Sequence, residues 1–527
     1  MGIPSYYKKL INTVNGLVSK GHPSDTIDWL FMDFNCLIYH CLYREDTPEF
    51  TGEGKEEWEA QFLECIVKYC LKVIKEVSPK SGVYIAIDGV VPMAKMRQQR
   101  LRRFKSSWLA SGVETVAWDK NSITPGTLFM KKLKERLETM ISKHGKKSWK
   151  VSSSDEPGEG EHKIVAEWRT GNYKGNFAVY GLDADLIVLT ILGRELQEEI
   201  KNVWLFREEV NAGKITYDET GEEIFEWFSI SALRDWLVSG FDKVSQRIFI
   251  LNYCFAMSVL GNDFLPSSLG LKIRDDGHSE LLDIIRNMTS NNLTIVDPNT
   301  LLISTTQLLQ LFKILSNDED SRITKYIQKK QKMAYIIGNE EETEFKLGEN
   351  NWPLAHIEES VLLENRQLCP TWKNKYITHF FQGFNYTVND INRICKEYLY
   401  GIQWIWAYYT GQAENVCFNW FYPFNLPPLW QMLTGYLKRH EMPTFPNKIA
   451  LKASDIKTVE QLALVLPLES WSLIPDCPER SLPSIAPQFY PTTFTFESIG
   501  KRFFWECESM IPLPSILEIK EIIRHYT

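Results

Sequence analysis

Seven carboxylates in this chain stand where they could act together. Three apolar runs read as buried strands and deliver acids as they end: Trp29-Leu-Phe-Met-Asp33, Val83-Tyr-Ile-Ala-Ile-Asp88 and Phe177-Ala-Val-Tyr-Gly-Leu-Asp183-Ala-Asp185. In parallel sheets, ligands bind at that carboxyl edge. If extended, Asp183 and Asp185 project from one face, and Glu159 and Glu161 repeat the spacing within Pro157-Gly-Glu-Gly-Glu-His-Lys-Ile164. Asp263 closes the apolar run from Cys254 to Pro266, where Gly261 and Pro266 would shape a turn around it. Two carboxylates about 4 Å apart repel by roughly 4 kcal/mol at an effective dielectric of about 20, so a converging cluster needs cations or protonation. All-oxygen ligands select magnesium, with manganese as the alternative. Two such ions can activate a water, straddle a phosphate and stabilise the departing oxyanion, so the reaction class is phosphodiester hydrolysis. Any one of these acids is more often a helix cap or loop residue than a ligand; their joint arrangement carries the reading.

A cationic stretch follows Asp88 directly. From Lys95 to Lys105 it holds six basic side chains and no acid, and Pro92 suits a helical start. On a helix, Lys95, Gln99, Arg102 and Arg103 fall at i, i+4, i+7 and i+8, along one face. Arginine binds phosphate oxygens bidentately and lysine supplies a mobile charge, so such a face would grip a terminal 5′-monophosphate. Alone, the stretch reads equally well as a solvated basic helix or a localisation signal. Its adjacency to Asp88 favours substrate binding.

The elements that would position these groups alternate short apolar runs with amphipathic helices from Met1 to about Lys272, the pattern of an α/β domain with a mixed, mostly parallel sheet flanked by helices. Residues 273–345 read as a helical bridge with a charged linker that includes Glu340, Glu341 and Glu342. Residues 346–527 form a second, mainly helical region. It is rich in aromatics, with Trp404, Trp406, Tyr408, Tyr409, Trp420, Phe421, Tyr422 and Phe424 close together.

At 527 residues and 44% hydrophobic content the chain can bury a large core. Its net charge of −8 argues against a generalised nucleic-acid-coating surface, so any polyanion must meet a local basic patch. Ten cysteines without a CxxC pair indicate neither a zinc knuckle nor a disulfide framework, and fit reduced thiols in the cytoplasm or nucleus. The N-terminus lacks a signal-peptide apolar region, Tyr6 stands where a myristoylation signal wants Ser or Thr, and no apolar run approaches membrane-spanning length. A monomer without membrane association is expected.

At this point the chain resembles the Xrn family of 5′-to-3′ exoribonucleases. The resemblance rests on MGIP at the start, MDFN at 32–35, DGVVPMAKMRQQRLRRF at 88–104, NSITPGTLFM at 121–130, SSSDEPGEGEHKI at 152–164, YGLDADLIVL at 180–189 and GNDFLP at 261–266. Later blocks, from Gly401, Phe418, Val459 and Gly500, resemble the family's second conserved region. The resemblance implies a PIN/flap-nuclease-like core and metal ligation by Asp33, Asp88, Glu159, Glu161, Asp183, Asp185 and Asp263. It likewise implies 5′-phosphate recognition by Lys95, Gln99, Arg102 and Arg103. The substrate it implies is single-stranded, 5′-monophosphorylated RNA, supplied by a decapping enzyme upstream.

The family stacks the first bases between a histidine, whose position here is Tyr39, and an aromatic wall, for which Trp420 is expected and Phe418 is the neighbouring choice. His40 is adjacent, and in a strand a shift of one residue would reverse the side chain. The chain departs from the family's common pattern at Ser267, where histidine often follows the GNDFLP block. Family members also commonly continue far past this terminus, so a compact member of cellular or viral origin without tail-dependent partners is expected. The missing CxxC knuckle places it nearer the cytoplasmic branch. Two rivals stand beside this reading: a flap-endonuclease-like DNA nuclease, and a catalytically idle RNA-binding scaffold.

Overall fold

The structure is a computed structural model that describes residues 3, 5–111, 116–181, 183–211, 214–338, 354, 357–412, 415–444 and 451–526. Met1, Gly2 and Pro4 of the opening motif, and Glu340 to Glu342 of the charged linker, lie outside the described residues.

The first half is built on β1 (Val18–Ser19), β2 (Trp29–Asp33), β3 (Gly82–Ala86), β4 (Lys150–Ser152), β5 (Gly175–Tyr180), β6 (Ile200–Glu208), the small hairpin β7 (Val210–Asn211) and β8 (Lys214–Ile215), and β9 (Phe225–Ser229). Seven of these form one sheet in the order β1-β9-β6-β5-β2-β3-β4. The pairs β2/β3, β2/β5, β3/β4 and β5/β6 are parallel, while β9 runs antiparallel to β6 and to β1. The expected mixed, mostly parallel sheet flanked by helices is present. Helices α1 (Tyr6–Thr13), α2 (Phe34–Leu42), α3 (Lys55–Val77), α4 (Met93–Ala110), α5 (Leu128–His144), α6 (Gly160–Arg169), α7 (Asp185–Glu195), α8 (Ile230–Leu237) and α9 (Lys243–Leu260) surround it. With both faces covered, β3 is buried along its whole length and β2 nearly so, which is why those strands read as unbroken apolar runs.

Strand β2 has β3 on one side and β5 on the other, so successive connections leave it in opposite directions. Crevices open at such switch points, at the carboxyl ends of the strands. Asp33 ends β2 there, paired in register with Ala86, and Met32 is level with Tyr180.

Helices α10 (Gly277–Ser290), α11 (Thr305–Asn317) and α12 (Glu319–Gly338) lead into α13 (Trp372–Phe380), α14 (Val388–Thr410), α15 (Trp430–Leu437), α16 (Thr458–Val465), α17 (Leu482–Ile485) and α18 (Ile516–Tyr526). Two short hairpins accompany them, β10 (Leu363–Glu364) with β11 (Gln367–Leu368) and β12 (Thr495–Glu497) with β13 (Glu508–Met510). The long helix α14 is capped by Thr387, whose hydroxyl accepts from Asp390 N at 3.1 Å, and ends at Gly411 in the left-handed region (φ +76°). Trp404, Trp406 and Tyr409 of α14 join α7 and α9 in one continuous core, so the two conserved halves share their apolar interior.

Candidate active site

The acids arrive from different local structures. Asp33 is the last residue of β2 and stands at the N-cap position of α2 without a capping hydrogen bond from its side chain; Asp88 lies two residues past β3. Glu159 caps α6 and Glu161 lies in its first turn, while Asp183 sits in the turn after β5 and Asp185 opens α7. The expectation that each pair projects from an extended segment is therefore corrected: a helix begins within both pairs. Their side chains converge because helix starts abut the sheet edge. Asp263 follows α9 in a turn held by Asn262 Oδ1, which accepts from Phe264 N at 2.8 Å and Leu265 N at 2.7 Å.

A cleft of about 770 Å³ is lined by Asp33, Asp88, Glu159, Glu161 and Asp183. Asp185 is not among the lining residues; it is 5% exposed, with a buried Oδ1 that has no hydrogen-bond partner. Asp263 does not line this cleft but is joined to the cluster through Lys95, whose Nζ is 2.6 Å from Glu159 Oε2 and 2.8 Å from Asp263 Oδ2. Asp88 accepts from Gly160 N at 2.7 Å and from Asn35 Nδ2 at 3.1 Å, and its own N–H donates to Asn35 Oδ1 at 3.1 Å. A Cβ on Gly160 would stand 2.5 Å from Asp33 Oδ1 and 3.0 Å from Ala86 O, so only glycine lets α6 begin this close to the acids.

Burial and mutual repulsion set the charge state. Burial, then Asp88, Asp183 and Asp185, push the Asp33 carboxyl well above the ordinary range. Burial followed by Asp185 does the same to Glu161. Asp185 is raised to about 7 by burial and by Asp183. Glu159 is raised by burial against the pull of Lys95. Asp263 is the exception: burial pushes it up, but neighbouring positive charges, Lys95 first and then Arg102, together outweigh that and hold it at about 2. Among the described residues no three potential ligands already form a metal cage. The donor set nonetheless suits a hard divalent cation, because it is all oxygen, repels itself and includes the partnerless Asp185 Oδ1.

Helix α4 starts immediately after Pro92 and runs beside these acids. Lys95, Gln99, Arg102 and Arg103 all line the cleft. Gln99 Oε1 and Arg103 Nη1 are buried without hydrogen-bond partners, and burial lowers the Arg103 guanidinium to about 10. The other cations of the run have structural work. Arg100 is fully buried, donating from Nη1 to Leu464 O at 2.6 Å and from Nε to Pro512 O at 3.2 Å, which fastens α4 to the second region.

Tyr39 also lines the cleft. It lies on α2, so the argument from strand alternation is corrected: a one-residue step on a helix turns a side chain by roughly 100°. His40 is 8% exposed, its ring 4.7 Å from that of Tyr69 and its Nε2 3.7 Å from Glu223 and 3.9 Å from Glu208. Trp420 does not border the cleft; its ring packs 5.2 Å from Trp404 and 5.5 Å from Tyr400, in space left by Gly401. The Phe418 carbonyl accepts from Met93 N at 2.7 Å, at the start of α4.

Several contributors escaped the sequence reading. Tyr408 of α14 donates to Glu159 Oε1 at 2.9 Å and stacks on His162 with ring centroids 3.8 Å apart. Lys163 Nζ donates to Ile87 O at 2.6 Å and Ser153 O at 2.8 Å, holding α6 against the end of β3. Asn35 and Lys163 lie inside quoted motifs, so their neighbours pointed to them. Tyr408 was one aromatic among many and carried no local signal.

A mostly parallel sheet with acids and a cationic helix at its carboxyl edge defines the class, an α/β domain with its candidate site at that edge. Residues 1–209 match the XRN 5'-3' exonuclease N-terminus and residues 316–520 match the Xrn1 helical domain. The chain belongs to the Xrn-type family. It is 26% identical to 5'-3' exoribonuclease 2 of Arabidopsis thaliana over 97% of its own length, 25% to 5'-3' exoribonuclease 1 of Schizosaccharomyces pombe over 97%, and 26% to 5'-3' exoribonuclease 1 of Homo sapiens over 100%. It spans 66%, 47% and 34% of those relatives, respectively. No helix among the described residues is long and apolar enough to cross a membrane.

Proposed function

We propose that this protein is a 5′-to-3′ exoribonuclease that hydrolyses single-stranded, 5′-monophosphorylated RNA to nucleoside 5′-monophosphates. One observation carries the reading: the α4 side chains Lys95, Gln99 and Arg103 face the same cleft as the carboxylates, so a phosphate-terminated strand meets its anchor and its hydrolytic centre together. Residues 1–272 supply this centre, residues 273–345 bridge, and residues 346–527 wall the channel. Arg102, Arg103 and Gln99 hold the terminal phosphate, a charge-assisted contact that an uncharged 5′ end lacks. Lys95, held between Glu159 and Asp263, fixes the distance from that anchor to the first internucleotide phosphate. Tyr39, which lines the cleft, stacks on the first bases, a contact indifferent to sequence, while Trp420, packed on Trp404 away from the cleft, does not supply the facing wall.

The seven acids would hold two magnesium ions, with manganese as a substitute, which supply an activated water and neutralise charge at the phosphate. Water oxygen bonds to phosphorus and the 3′ oxygen of the first nucleotide leaves as an alcohol. The shortened strand again begins with a 5′-phosphate, so the cycle repeats. A decapping enzyme would supply such ends, and the protein would act as a monomer in cytoplasmic RNA decay.

The test incubates the protein and magnesium with 3′-labelled RNAs bearing a 5′-monophosphate, a 5′-hydroxyl or a cap, with Asp183→Ala, Asp185→Ala as control. Release of mononucleotides from the monophosphate RNA alone, absent in the control, is expected. Equal decay of all three RNAs would overturn the phosphate pocket, preference for DNA flaps would favour the flap-nuclease reading, and binding without cleavage would favour a scaffold.

A further inference from the structure

On another face of α4 lies a second cavity, of about 240 Å³, between the turn carrying Asp263, helix α12 and the segment Gly500 to Glu508. That segment includes one of the blocks shared with the family, and the hydrolytic centre makes no use of it. Seven basic side chains line the cavity against three acidic ones, in a chain whose net charge is −8. So local an excess is a feature of the site, not of composition.

Several of these cations are engaged by protein. Arg97 donates to Asn425 Oδ1 at 2.7 Å, and Lys105 to Cys507 O at 3.1 Å. Arg102 and Lys501 differ: among the described residues neither side chain has a hydrogen bond or an ion pair. Arg502, 7% exposed, keeps a buried Nε without a partner. Lys272 donates to Ser267 Oγ at 2.9 Å, and burial together with the charge of Lys501 pulls its ammonium down to about 7. Glu508 lies in the field of Lys501 and Arg502 is ion-paired with Asp275, but seven cations facing three carboxylates leave an excess of positive charge that an anion would compensate. Trp505 and Tyr326 add aromatic rings to the same walls, and cations beside rings suit a phosphorylated base. The volume lies below the roughly 300–1,000 Å³ of most ligand sites, which excludes a strand and leaves a single nucleotide only partly enclosed.

We propose that this cavity is a product-side anion site that takes one nucleoside 5′-monophosphate, its phosphate on Lys501 and Lys272 and its base against Trp505. Arg102 borders both this cavity and the acidic cleft, and Asp263 closes the wall between them. The inference rests on the reading of the cleft as a hydrolase that releases mononucleotides. Arg102 then passes the departing phosphate outward as the next terminal phosphate arrives.

Equilibrium dialysis of the full chain against labelled adenosine 5′-monophosphate in EDTA, with adenosine as the phosphate-free control, tests it without turnover. Two equivalents are expected for the parent. Lys501→Glu and the milder Lys501→Met should each weaken one equivalent at least tenfold and leave the other, which Arg103→Ala removes. Thermal melting checks that each variant is folded. Retention of both equivalents in both Lys501 variants overturns the proposal, as does a parent that binds a single equivalent lost in Arg103→Ala. Failure to cleave RNA counts against the cleft alone, because the Lys501-dependent equivalent is read independently.

Discussion

Tyr408 donates its hydroxyl to Glu159 Oε1 at 2.9 Å across 249 positions of sequence, so the second region fixes an acid of the first. Tyr408→Phe keeps the ring over His162 and removes only the donor. A hydrogen bond to a charged group is worth about 1.5 kcal/mol or more, so kcat on monophosphate RNA should fall about tenfold. KM should change less than about twofold, because the ring and the phosphate anchor remain. A variant with parental kcat would show that Glu159 needs no anchor from α14.

Lys95 compensates two buried carboxylates, Glu159 and Asp263. Lys95→Met would leave both without their cation, and breaking a buried ion pair from one side typically costs about 3–5 kcal/mol. The melting temperature in EDTA should therefore drop markedly. Magnesium should restore more of it in the variant than it adds to the parent, since the ion then replaces the missing charge. Equal magnesium-induced gains in the two proteins would contradict this coupling.

What the sequence disclosed follows from what spacing can encode. Asp33 and Asp88 were legible because strands buried on both faces read as apolar runs that stop at the sheet edge. The α4 face was legible because its cations recur at helical spacing. Spacing does not name distant partners, however, so it left Arg100 off the phosphate face without disclosing that it is fastened to Leu464 O. The same limit hid Tyr408 and the packing of Trp420 on Trp404. The Asp183/Asp185 pair was misjudged in conformation because the start of α7 overlaps the end of an apolar run.

The raised carboxyls make the metal-free protein less stable at higher pH. The folded pKa of Asp185, about 7, lies above its ordinary value of 3.8, so between those limits the folded chain holds a proton that the unfolded chain has released. Stability falls where the native state binds more protons, so urea midpoints in EDTA should decline from pH 5 to 7. Asp185→Asn should flatten part of that decline, Asp33 and Glu161 retaining the rest because they are raised too. Magnesium should reverse the trend, because its ligands must be deprotonated. An Asp185→Asn protein with the parental slope would show that this carboxyl does not titrate in the window.

Arg103 separates recognition of the 5′ end from binding of the rest of the strand. Its buried Nη1, a donor, has no partner, so the pocket already bears a desolvation that a terminal phosphate would relieve. A charge-assisted hydrogen bond contributes about 1.5–3 kcal/mol, hence Arg103→Ala should weaken 5′-monophosphate RNA by about 10- to 100-fold. A 5′-hydroxyl RNA of the same sequence makes no such contact and should bind parent and variant within about twofold. Fluorescence anisotropy with both RNAs, in calcium or EDTA to prevent cleavage, reads the difference directly. A parallel loss for both ends would mean that Arg103 supports the strand as a whole, and the 5′-phosphate preference would then have to come from Lys95 and Arg102.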